Sequence, residues 1–295
     1  MRAPWKPPKA GGRAGLDLRA SERFCQRMAR REAANFYWGF IALARAQRVA
    51  IYALYDFSRQ VDDEADLAGP ARLLERLEAH RERVRRCVRG EYSDPVTQVL
   101  AHAVPRFGIP EAELLALVAG VEMDYHRTRY GTWDELREYC RLVASTVGRM
   151  CIRIFGCTNP VAFDRADDLG LAMQLTNCLR DVREDAQMGR FYLPQEDLAR
   201  FGVTEQSILD GQPGPGWNRL VAFEAQRARA LFASGLEVLD WLPWRSAVCV
   251  RTMAGIYQQI LVRIDQDPER PLSRRVSLSK TEKLYVTLGS WLSVA

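Results

Sequence analysis

"QLTNCLRDVREDAQMGRFYLP", Gln174 to Pro194, is the stretch whose periodicity decides the fold class. At ~100° per residue, Gln174, Asn177, Asp181 and Asp185 fall at i, i+3, i+7 and i+11, one polar stripe along a helix. Leu175, Cys178, Leu179 and Val182 occupy the other face, so the stripe is not simply the outside of a surface helix. Two aspartates one turn apart end it. Like charges at that spacing repel, and a positive partner is expected.

An earlier stretch repeats the arrangement. In "YDFSRQVDDEAD", Tyr55 to Asp66, the residues Tyr55, Arg59, Asp62 and Asp66 stand at i, i+4, i+7 and i+11. Alone, this reads as a solvated acidic helix end. Matched with the second stripe, it reads as one of two helices facing each other across a cavity. Facing carboxylates raise one another's pKa unless a cation lies between them. Oxygen donors without clustered His or Cys suit Mg²⁺, which keeps waters and recruits phosphate oxygens. Arg59, Arg180, Arg183 and Arg190 are close enough in sequence to help neutralise a diphosphate. Asp56 lies off the stripe and takes no catalytic role; Asp63 and Glu64 stay open between support and solvent.

Around these stretches the pattern is helical from about Ala20 onward. Breaks fall at Gly69-Pro70, Asp94-Pro95, Gly108-Ile109-Pro110, Asn159-Pro160 and "GQPGPG" from Gly211, which follows no strand and is a loop. The expectation is a tail of disordered composition over 1–19 and one all-α domain of roughly ten helices over 20–295. A net charge of +5 gives no general case for nucleic acid. The Arg-rich segment from His80 to Gly90 reads as a solvated helix face, and "RVSLSKTEKL", with Arg274, Arg275 and Lys280, as a solvated helix start. Seven scattered cysteines and three histidines exclude a zinc-finger spacing and leave little for a His-rich metal site. No apolar run reaches about 18 residues, so a cytoplasmic protein is expected, with peripheral membrane contact open. "VASTVG", Val143 to Gly148, reads equally as close helix packing or as room for a ligand chain.

Three segments together resemble the squalene/phytoene synthases of head-to-head isoprenoid condensation: "YDFSRQVDDEAD", "YCRLVASTVGRMCIRIFG" from Tyr139, and "LGLAMQLTNCLRDVREDAQMGRFYLP" from Leu169. The resemblance spans nearly the whole chain after the tail. It implies an all-α isoprenoid-synthase helical bundle with a central active-site cavity. It also implies two or three Mg²⁺ ions held by Asp62, Asp66, Asp181 and Asp185. Arg59, Gln174, Asn177 and Arg180 would contact diphosphate or metal, with Tyr55 on the same stripe. Tyr139 and Tyr257 match the family's two tyrosines and, with Arg59, would serve the chemistry. The family's Ser-x-Ser-Phe element corresponds to Ala33-Ala34-Asn35-Phe36; the first serine is missing, and Asn35 and Phe36 remain as substrate contacts. The implied reaction joins two prenyl diphosphates. Two C15 farnesyl diphosphates would give a presqualene diphosphate or squalene-type product of a hopanoid-like pathway; two C20 chains would give phytoene. A terpene cyclase, a chain-elongating prenyltransferase and an inert helical scaffold are the other readings. NADPH use stays open, since a bundle cavity needs no Rossmann unit to hold it, and the oligomeric state is not given.

Overall fold

Capping signals set where the helices begin. Asp94 accepts from the backbone N–H groups of Val96 and Thr97, while the Thr97 hydroxyl accepts from the N–H of Asp94. Asn159 caps the helix opened by Pro160, and Ser279 with Glu282 caps the one opened by Lys280. Gly108, at φ 61°, closes the helix that Pro95 opens.

The computed structural model describes residues 16–33, 35–67, 70–212 and 214–293, with only the backbone for 64–67 and 70–71. Among the described residues, sixteen α-helices form and no strand, apart from an isolated bridge between Arg129 and Phe191. In chain order they are α1 (Leu18–Glu32), α2 (Tyr37–Phe40), α3 (Arg45–Leu67), α4 (Pro70–Val88), α5 (Pro95–Phe107), α6 (Glu111–His126), α7 (Trp133–Cys140) and α8 (Thr146–Ile154). Then follow α9 (Pro160–Arg180), α10 (Val182–Gln187), α11 (Gln195–Phe201), α12 (Glu205–Asp210), α13 (Trp217–Leu236), α14 (Trp244–Gln266), α15 (Arg270–Ser273) and α16 (Lys280–Leu292). Five of the sixteen have seven residues or fewer. A π-helical turn, Arg141–Ser145, joins α7 to α8, so the long helices number ten, in line with the periodicity. Helix α1 starts two residues ahead of the expected domain boundary because Asp17 caps it, accepting from Arg19 and Ala20.

Helix α9 lies at the centre, against α13, α8, the π turn and α14. Its buried residues include Ala162, Ala166, Ala172 and Thr176, small side chains that let neighbours approach. "VASTVG" resolves to packing: Ser145 is fully buried and donates to the Asp167 carbonyl at 3.0 Å, and a Cβ on Gly148 would stand 3.0 Å from the Ala166 carbonyl oxygen. On the other side, a Cβ on Gly235 would stand 2.6 Å from the backbone N of Leu169. All seven cysteines are free and six are buried. The Arg-rich segment is solvated only in part. Arg85 pairs with Glu78 on the open side, whereas His80 is buried, Arg81 turns inward to Glu122 and Arg83 to Asp94 and Gln60, which corrects the expectation of a wholly solvated face. No described helix is long and apolar enough to cross a membrane.

Asp56 is buried beneath α1 beside Cys25, and its Oδ2 has no hydrogen-bond partner. Burial lifts its carboxyl to about 9, with Glu32 adding to the rise and Cys25 opposing it. This agrees with a residue that has no place in the polar stripe.

Two stability outcomes follow. Gly235→Ala should lower the melting temperature through a cost of about 1–3 kcal/mol, because the Leu169 backbone cannot yield as a side-chain tip can. A folded pKa above the unfolded one means that Asp56 favours folding most below about pH 4 and loses that contribution as pH rises toward about 9. Urea midpoints of Asp56→Asn should therefore fall less than wild type between about pH 5 and about pH 8; parallel profiles would refute the buried, protonated carboxyl.

Candidate active site

Helix α3 delivers the first stripe. Its inner residues, Ile51, Leu54, Phe57 and Val61, are buried, which fixes the rotation of the helix and turns Arg59 and Asp62 to a half-open side. The Arg59 guanidinium lies 2.5 Å from Asp63 and 3.7 Å from Asp62. Phasing singled out Asp62; Asp63, at i+4, is the tighter contact, because that spacing lets the long arginine reach the carboxylate directly. Asp63 thereby leaves its open status as a support for Arg59. The side chains of Asp66 and Glu64 lie outside the described residues.

The second stripe differs from a continuous helix. Helix α9 stops at Arg180 and α10 starts at Val182, with Asp181 between them at φ −104° and ψ 10°. Hydrogen bonds from Asp181 N to Asn177 O and from Asp185 N to Asp181 O, both 2.9 Å, carry the helical register across the break. Gln174, Asn177, Asp181 and Asp185 therefore keep their expected spacing. Asn177 Nδ2 donates to Gln174 Oε1 at 3.1 Å, and Asn177 Oδ1 is buried without a partner.

Arg180 is the innermost cation of the site, 7% exposed. Its Nε donates to Asp181 Oδ1 at 2.9 Å, a second bond joins Arg180 to the other oxygen, and Tyr257 is a further hydrogen-bond partner. Arg275 reaches the same carboxylate from the far side, with Nε 3.0 Å from Oδ1 and a second nitrogen 3.1 Å from Oδ2. The expectation of a merely solvated helix start at "RVSLSKTEKL" is corrected here for Arg275. The α15–α16 connection folds back over α10, a long-range approach with no local signal in the sequence. Arg183 instead donates to the Leu272 carbonyl and Arg190 pairs with Asp124, so both have structural partners near the site.

Aromatic rings join the two stripes. Phe36 stacks on Tyr257 at 5.6 Å and sits 6.2 Å from Tyr55, so a path runs Tyr55–Phe36–Tyr257–Arg180 from α3 to the α9–α10 junction. Asn35 is half-buried in the turn beside Phe36. A second aromatic group surrounds Tyr139, which stacks on Tyr192 at 5.3 Å and lies tilted to Tyr130 at 5.4 Å. Tyr139 and Tyr192 share a hydrogen bond, and Tyr192 Oη donates to Asp124 Oδ1 at 2.5 Å. The Arg129–Phe191 bridge holds the α10–α11 loop against the α6–α7 loop and so places Tyr192 over Asp124. Tyr130, Tyr192 and Asp124 were missed in the sequence. Tyr192 stood inside the "GRFYLP" segment and was within reach; Asp124, amid "EMDYH", carried no spacing signal.

Burial pushes the Asp185 carboxyl up to about 8, with the charges of Asp181 and Asp124 adding and Arg190 opposing. Such crowding of carboxylates calls for positive charge. Among the described residues no three His, Cys, Asp or Glu side chains come close enough to cage one ion. Mg²⁺ needs no such cage, binding through one or two carboxylates together with waters and phosphate oxygens. Asp181 and Asp185, with the unpartnered Asn177 oxygen, offer oxygen donors of the kind it takes at the α9–α10 junction. A recess of about 10 Å³, room for a single water, lies beside this group, lined by Asp185, Arg190, Tyr192, Cys178 and Ile208 among others.

Comparison with known proteins gives consistent relatives. The model of the family described as squalene/phytoene synthase matches residues 29–282. A phytoene synthase of Mycobacterium tuberculosis is 37% identical over 283 residues, covering 94% of this chain and 92% of the relative. Another from Arthrospira platensis is 34% identical, covering 90% of each. Among solved structures, a squalene synthase of Alicyclobacillus acidocaldarius superposes with a TM-score of 0.80 at 31% identity, covering 88% of this chain and 98% of that one. A dehydrosqualene synthase superposes with a TM-score of 0.84 at 26% identity, covering 94% and 97%.

The paired guanidiniums of Arg180 and Arg275 should take up inorganic diphosphate. Calorimetry with Mg²⁺ present should show Arg275→Gln weakening that binding about tenfold or more, the value of a charge-assisted contact, at unchanged melting temperature. Equal affinity would remove Arg275 from the site.

Proposed function

The chain belongs to the squalene/phytoene synthase family, and from that premise we propose which residues carry its reaction and which chain length it accepts. Members of the family are prenyltransferases that condense two prenyl diphosphates head to head, and this chain is one of them. We infer that Asp62, Asp66, Asp181 and Asp185 hold the Mg²⁺ ions. Bound there, Mg²⁺ supplies Lewis-acid neutralisation of the diphosphate leaving group. Arg59, Arg180 and Arg275 share that negative charge, and Gln174 and Asn177 orient phosphate oxygens. The observation that carries the assignment is the α9–α10 junction, where Arg180, Asp181, Tyr257 and Arg275 converge.

In the reaction, the allylic C–O bond of one substrate breaks and its electron pair leaves with diphosphate. The 2,3-double bond of the second substrate attacks the resulting cation, and loss of a proton closes a cyclopropane. Water would intercept that cation, so the rings of Phe36, Tyr55 and Tyr257 on one side and Tyr139 on the other serve to exclude it. Their faces also offer negative electrostatic potential to a migrating positive charge. Burial and the neighbouring Tyr192 and Asp124 hold the Tyr139 hydroxyl well above the usual phenol range, so it stays protonated and acts as a hydrogen-bond donor.

The preferred substrate in this reading is C15 farnesyl diphosphate, supported by the squalene and dehydrosqualene synthases among the structural relatives. A second reading, C20 geranylgeranyl diphosphate, is favoured by the phytoene synthases, which are more similar in sequence. Purified protein incubated with Mg²⁺ and either diphosphate, with and without NADPH, should release diphosphate and form a C30 product from the C15 substrate. Turnover of the C20 substrate alone would establish the second reading, and release from neither would overturn the reaction. Asp62→Asn and Asp181→Asn should each lower turnover by about 100-fold or more with unchanged circular dichroism, as expected for lost metal ligands.

A further inference from the structure

Helix α16 carries an apolar stripe on its outer side as well as apolar residues inside. Leu284, Tyr285, Leu288 and Leu292 are 44%, 71%, 51% and 82% exposed. At ~100° per residue they fall within an arc of about 100°, one continuous outer stripe. The inner residues are Lys283, Thr287 and Ser290, all buried, with half-buried Val286 and Trp291 packed on the core, on a helix that lies against α14. The hydroxyls of Thr287 and Ser290 donate back to the carbonyls of Lys283 and Val286 at 2.7 and 2.8 Å, which satisfies them inside. A helix in water places its apolar stripe inward; this one also holds a stripe outward.

The apolar surface continues beyond α16. Trp291 meets Trp244 edge-on at 5.6 Å, and Trp244 is itself half exposed, as is Ile41. Two arginines border this extension. Arg245 lies 4.7 Å over the Trp244 ring and donates to the Ala42 carbonyl, and Arg48 donates to the Ile41 carbonyl, both at 3.3 Å. Exposed Lys280 opens α16, whose one carboxylate, Glu282, is ion-paired with Arg263. Helix α16 also packs on α2, and Phe40 of α2 stacks on Phe36, the ring that touches Tyr55 and Tyr257. Helix α2 thus lies between α16 and the aromatic wall of the candidate site.

We propose that this face, Leu284, Tyr285, Leu288 and Leu292 with Trp244 and Ile41, docks the protein on the surface of a bilayer that contains anionic lipid. Tryptophan and tyrosine at the edge of an aliphatic stripe, bordered by arginine and lysine, are the residues that settle at a membrane–water interface. Apposing two copies through the same face would bring like-charged borders together, which disfavours self-association. Docking here would place the aromatic wall near lipid, a suitable destination for an apolar condensation product; only that consequence rests on the proposed reaction.

Sedimentation with vesicles tests the surface without any turnover. Wild-type protein should pellet with vesicles of phosphatidylcholine containing roughly a quarter phosphatidylglycerol. Tyr285→Glu combined with Leu288→Glu should weaken partitioning by about tenfold or more, because both side chains would enter the lipid boundary. Arg48→Gln combined with Arg245→Gln should weaken it by about tenfold on anionic vesicles and leave binding to pure phosphatidylcholine unchanged. Melting temperatures and, in detergent, the basal activity should match wild type in the α16 variant. Wild type remaining in the supernatant, or the glutamate variant pelleting as well as wild type, would overturn the proposal. So would a wild-type dimer in light scattering that the glutamate variant abolishes, because the face would then bind a second copy.

Discussion

A buried guanidinium is the constraint on which the site depends. Arg180 loses nearly all its hydration at the end of α9, and an unpaired charge there would cost several kcal/mol. Asp181 meets it at the point where the helix breaks, and Tyr257 completes its hydrogen bonding from α14. The break, the ion pair and the central position of α9 are therefore one arrangement. Moving any of them would strand a charge in the interior.

That arrangement also decides what surrounds it. With Arg180 committed to the Asp181 side, the carboxyl of Asp185 faces Asp124 across a space closed by Tyr139, Tyr192 and Arg190. Asp124, Tyr139 and the Asp185–Tyr192 segment come from separate parts of the chain, and backbone hydrogen bonds from Phe191, Gln195 and Glu196 to Thr128, Tyr130 and Gly131 bring the two loops into register. Carboxylates so crowded favour a cation or a proton, and phenols so deeply buried remain neutral donors. The result is a polar end set against aromatic walls, suited to an anionic head with an apolar tail.

Packing explains why the outer surface looks as it does. Helix α9 is enclosed by α13, α8 and α14 through small residues and glycines, so these helices use their apolar faces inward. Helix α16 meets α14 with Val286 and the internally satisfied hydroxyls of Thr287 and Ser290, and leaves its leucines outside. The same hydrophobic effect that builds the core thus leaves one surface without a partner in water.

Much of this was legible in the chain itself. Period and capping determined the all-α class, the helix starts at Pro95, Pro160 and Lys280, and the spacing of Asp62, Asp181 and Asp185, because each depends on residues within a few turns of one another. The recurrence of three segments in order determined the family. Tertiary structure alone decided that Asp63 shares Arg59, that Arg275 closes on Asp181 from ninety-four residues away, and that Tyr192 links Tyr139 to Asp124. It also decided that the stripe of α16 faces out, although its pattern would fit an inward face equally well. Those outcomes depend on which surfaces meet, and on where a buried charge finds its partner, information that no local periodicity contains.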